Sequence, residues 1–270
     1  MRKVSRRKFI KGSILTTIGL VLLDSLWFEK YVIDWKYFVL SKQNRKKIKI
    51  IQLTDLHIDK LRSFHHSIAT TINEKKPDLL FITGDAVDSN DKIIVLNEFL
   101  QLIDKSIQKY AITGNWEYWG NVNLDELKEV YQHNNCELLI NENRTISIED
   151  RTVSIIGVDD LVGGNADFKK STENLTACET NIVLAHCPAY RDVITDQNNS
   201  LNIDIVLSGH THGGQIAILG FAPFKPQGSG KYLKGWYTEK EPKMYISKGI
   251  GTSVLPFRFG ARAEMVEMDL

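Results

Sequence analysis

Cysteine is scarce in this chain of 270 residues: Cys136, Cys178 and Cys187 are the only three. An odd and widely spaced set excludes a disulfide framework, and the spacing is wrong for a zinc ribbon. Cys187 follows His186 directly, but a lone cysteine is more often a small core hydrophobe than a ligand. Internal repeats and low-complexity linkers are also missing from residues 46–270, which leaves no room for a solenoid or a tethered array. Beyond residue 49 the chain lacks a basic surplus. Residues 1–49 hold 13 Lys/Arg against 3 Asp/Glu, and the rest holds 21 against 30. A net-acidic globular part is a poor match for a nucleic-acid surface, so nucleic acid is not expected as a partner.

The head of the chain is informative. Ser5-Arg6-Arg7-Lys8-Phe9-Ile10-Lys11 precedes Gly12–Leu23, a stretch without charge. That stretch is shorter than the roughly 20 residues needed to cross a bilayer as a stable helix, and it suits the apolar region of a signal. The pattern resembles a bacterial twin-arginine export signal; the alternative is a basic amphipathic helix on the membrane surface. No Ala-x-Ala cleavage site follows, and Leu26–Leu40 is aromatic, apolar and interrupted by charge. Cleavage and retention as an anchor both stay open. The expectation is a signal or membrane anchor with its linker over residues 1–45 and one domain over 46–270, exported across or anchored to the cytoplasmic membrane. The implied partners are a membrane and, if the signal works, the twin-arginine translocase.

What is present in the remainder is a series of apolar runs that each end in a small polar motif. Asp55-Leu56-His57 follows Ile48–Leu53, and Gly84-Asp85 follows Leu79–Ile82. Gly114-Asn115 follows Tyr110–Ile112, His186 follows Ile182–Ala185, and Gly209-His210-Thr211-His212 follows Ile205–Leu207. The runs read as buried strands. Helices are expected near Phe64–Glu74, Asp91–Ser106 and Leu124–His133, with a strand at Leu138–Ile140. This βαβ rhythm argues for a mostly parallel sheet. The second half is richer in strands: a hairpin of Thr145–Glu149 and Thr152–Val158, then Gln215–Ile218, Met244–Ser247 and Glu264–Asp269. That is too many for one sheet, so two packed sheets flanked by helices are expected.

In an open α/β sheet, functional groups gather beyond the carboxyl ends of the strands. Those ends deliver Asp, Asn and His without a thiolate, a donor set that suits Mn, Fe or Zn. Two ions about 3.5–4 Å apart can hold the attacking and leaving oxygens of an in-line displacement and lower the pKa of bound water.

Asp55-x-His57, Gly84-Asp85-x-x-Asp88, Gly114-Asn115-x-Glu117, His186 and Gly209-His210-x-His212 together resemble the signature of the calcineurin-like metallophosphoesterases, over residues 46–270. The stretch Gly209–Gln215, with Tyr232-x-x-Gly235, Ser247-Lys248-Gly249-Ile250-Gly251 and Arg258-Phe259-Gly260, is similar to one branch. That branch holds twin-arginine-exported phosphoesterases and the UDP-2,3-diacylglucosamine pyrophosphatases of lipid A synthesis. The resemblance implies a four-layer α/β/β/α sandwich of two mixed sheets flanked by helices. It implies two divalent metal ions, the first on Asp55, His57 and His212, the second on Asn115, His186 and His210, with Asp85 bridging. Asp85, Asn115 and His210 would be the catalytic residues. The implied reaction is attack of a metal-bound hydroxide on a phosphodiester or phosphoanhydride, with a small-molecule or lipid-linked phosphate as substrate.

One departure matters. The family places a histidine after the Gly-Asn pair, and this chain has Trp116. An indole N–H donates but cannot act as a proton-transfer acid at neutral pH. Losing general acid catalysis typically costs about 10²–10⁴-fold, most for poor leaving groups. A preference for good leaving groups is therefore expected, or a substitute acid such as His65 or His66. The same departure allows a metal-retaining binding protein of weak or no activity. Ala263 stands where the branch often has proline, and only a local backbone effect is expected. Asp88 is expected to orient Asn115 or a ligand histidine. Trp116, Tyr118, Trp119, Tyr232, Trp236 and Tyr237 offer aromatic surface for a base or lipid chain, or simple packing. Lys225, Lys231 and Lys234 either meet a phosphate or sit in a solvated loop.

Overall fold

The computed structural model describes residues 5–40, 47–176, 178–198 and 201–270. Five strands read from the sequence form one sheet with a sixth that was not. In it β2 (Lys49–Leu53), β3 (Leu79–Thr83), β4 (Gln108–Ile112) and β5 (Cys136–Leu138) run parallel. The last strand of the chain, β12 (Glu264–Asp269), pairs antiparallel with β2, and β1 (Asp34–Val39) lies parallel to β12 at the edge. The second sheet has the order β10 (Gly235–Tyr237), β11 (Met244–Ile246), β9 (Ile205–Ser208), β8 (Thr180–Leu184), β7 (Arg151–Gly157), β6 (Glu142–Ile148). Its two edge strands are antiparallel and the central four parallel. The expected fold class, two mixed sheets flanked by helices, is the one observed.

Side chains alternate across each strand, so a strand buried on both faces reads as an unbroken apolar run. Ile50, Phe81, Tyr110 and Ile112 point inward to meet Val153, Ile155, Ile182, Leu184, Ile205 and Leu207 of the facing sheet. Ile51, Leu53, Leu80, Ile82 and Ala111 point outward under the helices Ser63–Lys75, Ile93–Gln101 and Leu124–His133. Val183, Val206 and Ile246 do the same under the helix Tyr190–Gln197. The four layers follow from these three apolar seams.

Several elements differ from expectation. Gln215–Ile218 is no strand: Gly213, Gly214 and Gln215 all have positive φ, which interrupts an extended chain, and single bridges Ile216–Phe259 and Ile218–Phe221 are all that forms. The helix expected from Asp91 begins as a short 3-10 turn and is regular only over Ile93–Gln101. Expected as Leu138–Ile140, β5 ends at Leu138.

The head contains a helix, Arg6–Leu23, that continues through a π-helical turn, Asp24–Phe28, to Tyr31. Over Arg6–Tyr31 it is long and apolar enough to cross a membrane by length and composition, and its side chains are nearly all exposed. Its end is knitted into the domain. Glu29 accepts from the Gly260 and Ala261 N–H groups at 2.8 and 2.9 Å, and the Arg258 N–H donates to the Ser25 carbonyl at 3.1 Å. With β1 in the sheet, residues 25–39 belong structurally to the domain. The expected boundary at 45/46 lies outside the described residues.

Candidate metal centre

Parallel strands β2, β3, β4, β8 and β9 all end at one edge of the sandwich, and the residues just beyond them converge there. Gln52 and Thr83 make the floor: the Gln52 amide donates to Thr83 Oγ1 at 2.9 Å and, across the sandwich, to the Ser208 carbonyl at 3.0 Å. Above it Asp55, His57, Asp85, Asn115, His186, His210 and His212 are all buried. Five of these seven hold left-handed backbone: Asp55 (φ 52°), His57 (42°), Asp85 (51°), His210 (72°) and His212 (49°). Such conformations cost of order 1–3 kcal/mol each and cluster at functional sites. Gly84 (φ 89°) is required as glycine, since a Cβ there would lie 2.5 Å from His186 Nδ1.

Two groups of donors emerge: Asp55, His57 and His212, and Asp85, His186 and His210, each with ligand atoms within 4.8 Å of one another. Within the first, His57 Nε2 lies 3.1 Å from His212 Nε2, and His212 Nε2 lies 3.4 Å from Asp55 Oδ1. Within the second, His186 Nε2 lies 3.2 Å from Asp85 Oδ2. That same Asp85 oxygen is 3.7 Å from His57 Nε2 of the first group. The other Asp85 oxygen accepts the Trp116 backbone N–H at 2.9 Å. Asn115 opens the short helix Asn115–Trp119 and sets Oδ1 2.8 Å from His210 Nδ1.

Histidine orientation identifies the free nitrogens. His57 Nδ1 is 2.5 Å from Asp88 Oδ1, His186 Nδ1 is 2.8 Å from the Thr83 carbonyl, and His210 Nε2 is 2.7 Å from the Gln227 carbonyl. Each oxygen requires an N–H, which leaves the opposite nitrogen as a lone pair turned into the site. His186 Nε2 is buried there without a hydrogen-bond partner. His212 is the exception. Its Nδ1 faces the Arg258 guanidinium at 3.3 Å, a donor only, so its proton sits on Nε2, and holding a cation there would require that proton to pass to Nδ1.

Charge tells the same story. Burial disfavours a charged His57, but Asp88, with Asp85 and Asp55 behind it, outweighs this and lifts the imidazole to about 9. Burial likewise opposes charge on His186, and Asp85 overcomes it to raise that group well above the ordinary histidine range. Burial, then the neighbouring positive groups, holds His210 and His212 down. Burial raises Asp55, whereas His186 and His57 bring Asp85 below its usual value against its own burial. The buried carboxylates favour positive charge beside them, of which the site is short. The orphaned nitrogen, the inward lone pairs and this deficit fit a pair of divalent cations.

Some expected residues stand elsewhere. His65 is buried at the helix start, its ring accepting the Arg62 N–H at 3.1 Å, and burial pushes it down to about 4; His66 is exposed. His65 lines a pocket with His57 and Asp88, but a ring held neutral by burial is a weak proton donor. Tyr232 is buried, its hydroxyl donating to Asp192 at 2.6 Å, and Trp236 packs on Phe38 and Tyr245. Tyr118 bonds Asp159, and Tyr237 packs on Tyr232. Only Trp116 and Trp119 of the six aromatics line the cleft over the clusters. Lys225 and Lys234 donate to backbone carbonyls, and Lys231 lies 3.6 Å from Asp192. Buried Cys187 sets its thiol 3.2 Å from Asp160, outside both donor groups.

Others were missed. Glu117 accepts four backbone N–H groups, those of Asp85, Ala86, Val87 and Gly114, at 2.7–3.2 Å, and so clamps the loops carrying Asp85 and Asn115. Burial, with Asp85 close by, pushes its carboxyl up to about 7. Buried Arg258 ties His212 to the carbonyls of Lys248, Gly249 and Ala261. The Gly-Asn-x-Glu spacing and the Arg-Phe-Gly motif were the signals. Trp116 is tethered by its indole N–H to Ser253 Oγ at 3.1 Å and meets His57 edge-on at 6.0 Å.

A family model described as calcineurin-like phosphoesterase matches residues 48–214. The metallophosphoesterase YkuE of Bacillus subtilis is 29% identical over 100% of this chain and 99% of its own length. The phosphodiesterase YaeI of Escherichia coli is 28% identical over 99% of each. Among solved structures, the sulfate thiohydrolase SoxB of Thermus thermophilus superposes with a TM-score of 0.51 at 10% identity, covering 85% of this chain and 58% of that one. The last likeness is one of fold.

Proposed function

The chain belongs to the calcineurin-like phosphoesterase family, and from that premise we propose that it hydrolyses a lipid-linked or nucleotide-sugar phosphodiester or phosphoanhydride at the membrane surface. The protein is a metal-dependent phosphoester hydrolase. The observation that carries the reading is Asp85 Oδ2, which faces one histidine from each donor group at 3.2 and 3.7 Å. A carboxylate so placed offsets the repulsion between two cations.

Asp55, His57 and His212 would hold one ion, Asn115, His186 and His210 the other, and Asp85 both. When bound, such a pair supplies positive charge at phosphorus and makes water acidic enough to attack near neutral pH. The chain's own groups do the rest. Asp88, Thr83 and Gln227 hold three imidazoles in one tautomer, so those three need no rearrangement. The Trp116 backbone N–H fixes Asp85, and its indole N–H, engaged by Ser253 Oγ, holds the ring at the roof of the cleft. Around the cleft the titratable residues are Asp85, His210 and His212, all assigned to the ions. Among the described residues that line this cleft none is left over to protonate a leaving oxygen, which supports a substrate with a good leaving group, such as a nucleoside monophosphate or a phenol. The phosphodiesterase YaeI supports diester chemistry.

UDP-2,3-diacylglucosamine is a candidate of the right class if the domain faces the cytoplasm, because that compound is made there. A working Arg6-Arg7 export signal would instead turn the domain outward. The docking of Glu29 and β1 into the domain supports retention of the segment as an anchor. A reporter fused after residue 50 and assayed for export separates the two orientations.

Full-length protein loaded in turn with Mn, Fe and Zn and given bis-p-nitrophenyl phosphate, a nucleotide-sugar pyrophosphate and an alkyl phosphodiester tests the chemistry. Turnover is expected on the first two and slow or absent on the third. A fully loaded protein that turns over none of them is the non-catalytic binding protein that Trp116 would permit.

A further inference from the structure

The cleft above the two donor groups is about 550 Å³ and mainly apolar, walled by Trp116, Trp119, Ile216, Phe224, Val254 and Leu255. Between the lining residues Ile216 and Pro223 the chain leaves the wall for an exposed tip. Leu219 is fully exposed and Val254 is 87% exposed, with Ile218 and Phe221 open to solvent beside Leu219. Both tips are locally disfavoured. Ile218 and Phe221 exchange backbone hydrogen bonds at 2.9 and 3.0 Å around Leu219 (φ 50°) and Gly220 (φ 84°). A two-residue turn with positive φ at both centres prefers asparagine or aspartate first; this one carries leucine. Val254, a β-branched residue, sits at φ 62°, which is a strained position for it. Two strained turns thus present bare aliphatic side chains where polar ones would cost less.

The chain that carries the Leu219 tip is basic in sequence. Residues 205–238 contain no Asp or Glu but three lysines, while Val254 and Leu255 share a pocket with Lys30 and Arg62 as well as Asp59 and Asp88. The basic stretch stands against a remainder of the domain that is rich in acid. The apolar rim is also continuous with the apolar head: Lys30 donates to the Pro256 carbonyl at 3.1 Å, and the Arg262 guanidinium lies over the Phe28 ring at 4.8 Å. The helix Arg6–Tyr31 therefore meets the domain within a few residues of Val254 and Leu255.

We infer that the loops around Leu219 and Val254 insert into an anionic phospholipid bilayer, so that the mouth of the cleft opens into the membrane interface beside the N-terminal helix. Bare aliphatic tips backed by lysine and arginine match a surface with an acyl interior and phosphate headgroups. Seated so, the cleft admits an amphiphile whose phosphate reaches the donor groups while its apolar part stays against Phe224 and Leu255. That last point rests on the proposed hydrolysis; the bilayer contact does not.

The test uses the full chain in vesicles of phosphatidylcholine and phosphatidylglycerol, with a fluorophore on Leu219→Cys or, at the opposite end of the second sheet, on Asp150→Cys. Nitroxide carried on the lipid acyl chains should quench the label at 219 and leave that at 150 bright. Equal quenching at both positions overturns the inference. So does a 219 label that is shielded only by a second copy or another protein. The double variant Leu219→Asp/Phe221→Asp should lose about a hundredfold in turnover of a long-chain alkyl p-nitrophenyl phosphodiester in those vesicles, roughly tenfold for each apolar side chain kept out of lipid. Its rate on soluble bis-p-nitrophenyl phosphate should stay unchanged, and an equal fall on both substrates contradicts the inference. Quenching does not depend on turnover, so an inactive protein would sink the hydrolase reading and leave this one standing.

Discussion

The floor and the roof of the cleft are built on opposite principles. The floor is polar, fully buried and set by strand ends: seven donors, five of them in left-handed backbone, each imidazole steered by a named neighbour. The roof is apolar, half exposed and set by loops, with Trp116 hung on Ser253 and Leu219, Phe224 and Val254 turned outward. The difference teaches where chemistry and address are stored. Chemistry needs donors held to fractions of an ångström, and a packed sheet supplies that. Address needs only a surface of the right polarity, which loops can carry.

Breaking the floor should cost most. Asp85→Asn should lower hydrolysis of bis-p-nitrophenyl phosphate by well over the about 100-fold that marks the upper range for residues behind the ligands, and metal analysis should show the second ion lost. A rate near that of the parent would put the chemistry elsewhere. Chelation should abolish turnover and lower the unfolding temperature, with recovery on Mn or Zn. Ions at a hundred times their dissociation constant stabilise by about 2.7 kcal/mol, which scanning calorimetry resolves. Asp88→Asn removes the acceptor that fixes His57 and should cost about 10–100-fold, chiefly in metal affinity.

Changes in the roof should be smaller and depend on the substrate. Trp116→His places a proton donor where the family has one. The gain, up to about 10²-fold, should fall on alkyl phosphodiesters and bypass aryl ones; equal gains, or none, on both would remove the leaving-group argument. Ser253→Ala frees the indole at the expense of one hydrogen bond, about 1 kcal/mol, so rates should move no more than severalfold.

Legibility divides along the same line. Asp55, Asp85, Asn115, His186 and His210 could be read because each comes within three residues of the end of an apolar run, and strand ends are local in sequence. Thr83 and Gln227 could not, since they act through backbone carbonyls that any residue would supply. Arg258 stood in a motif without a role, because its contacts reach back over 46 residues to His212. The strand β1 was hidden by the charges that interrupt Leu26–Leu40, and its partner β12 lies at the far end of the chain. Gln215–Ile218 looked like a strand by composition and was undone by three successive residues at positive φ. The tips at Leu219 and Val254 have no period at all, so only their exposure reveals them.

Metal stoichiometry measured together with turnover tests the central claim most directly. Purified full-length protein should bind two divalent ions per chain and hydrolyse bis-p-nitrophenyl phosphate only when both are present, with the second ion and the activity lost together in Asp85→Asn. A single ion sufficient for full activity, or full turnover without metal, would contradict it.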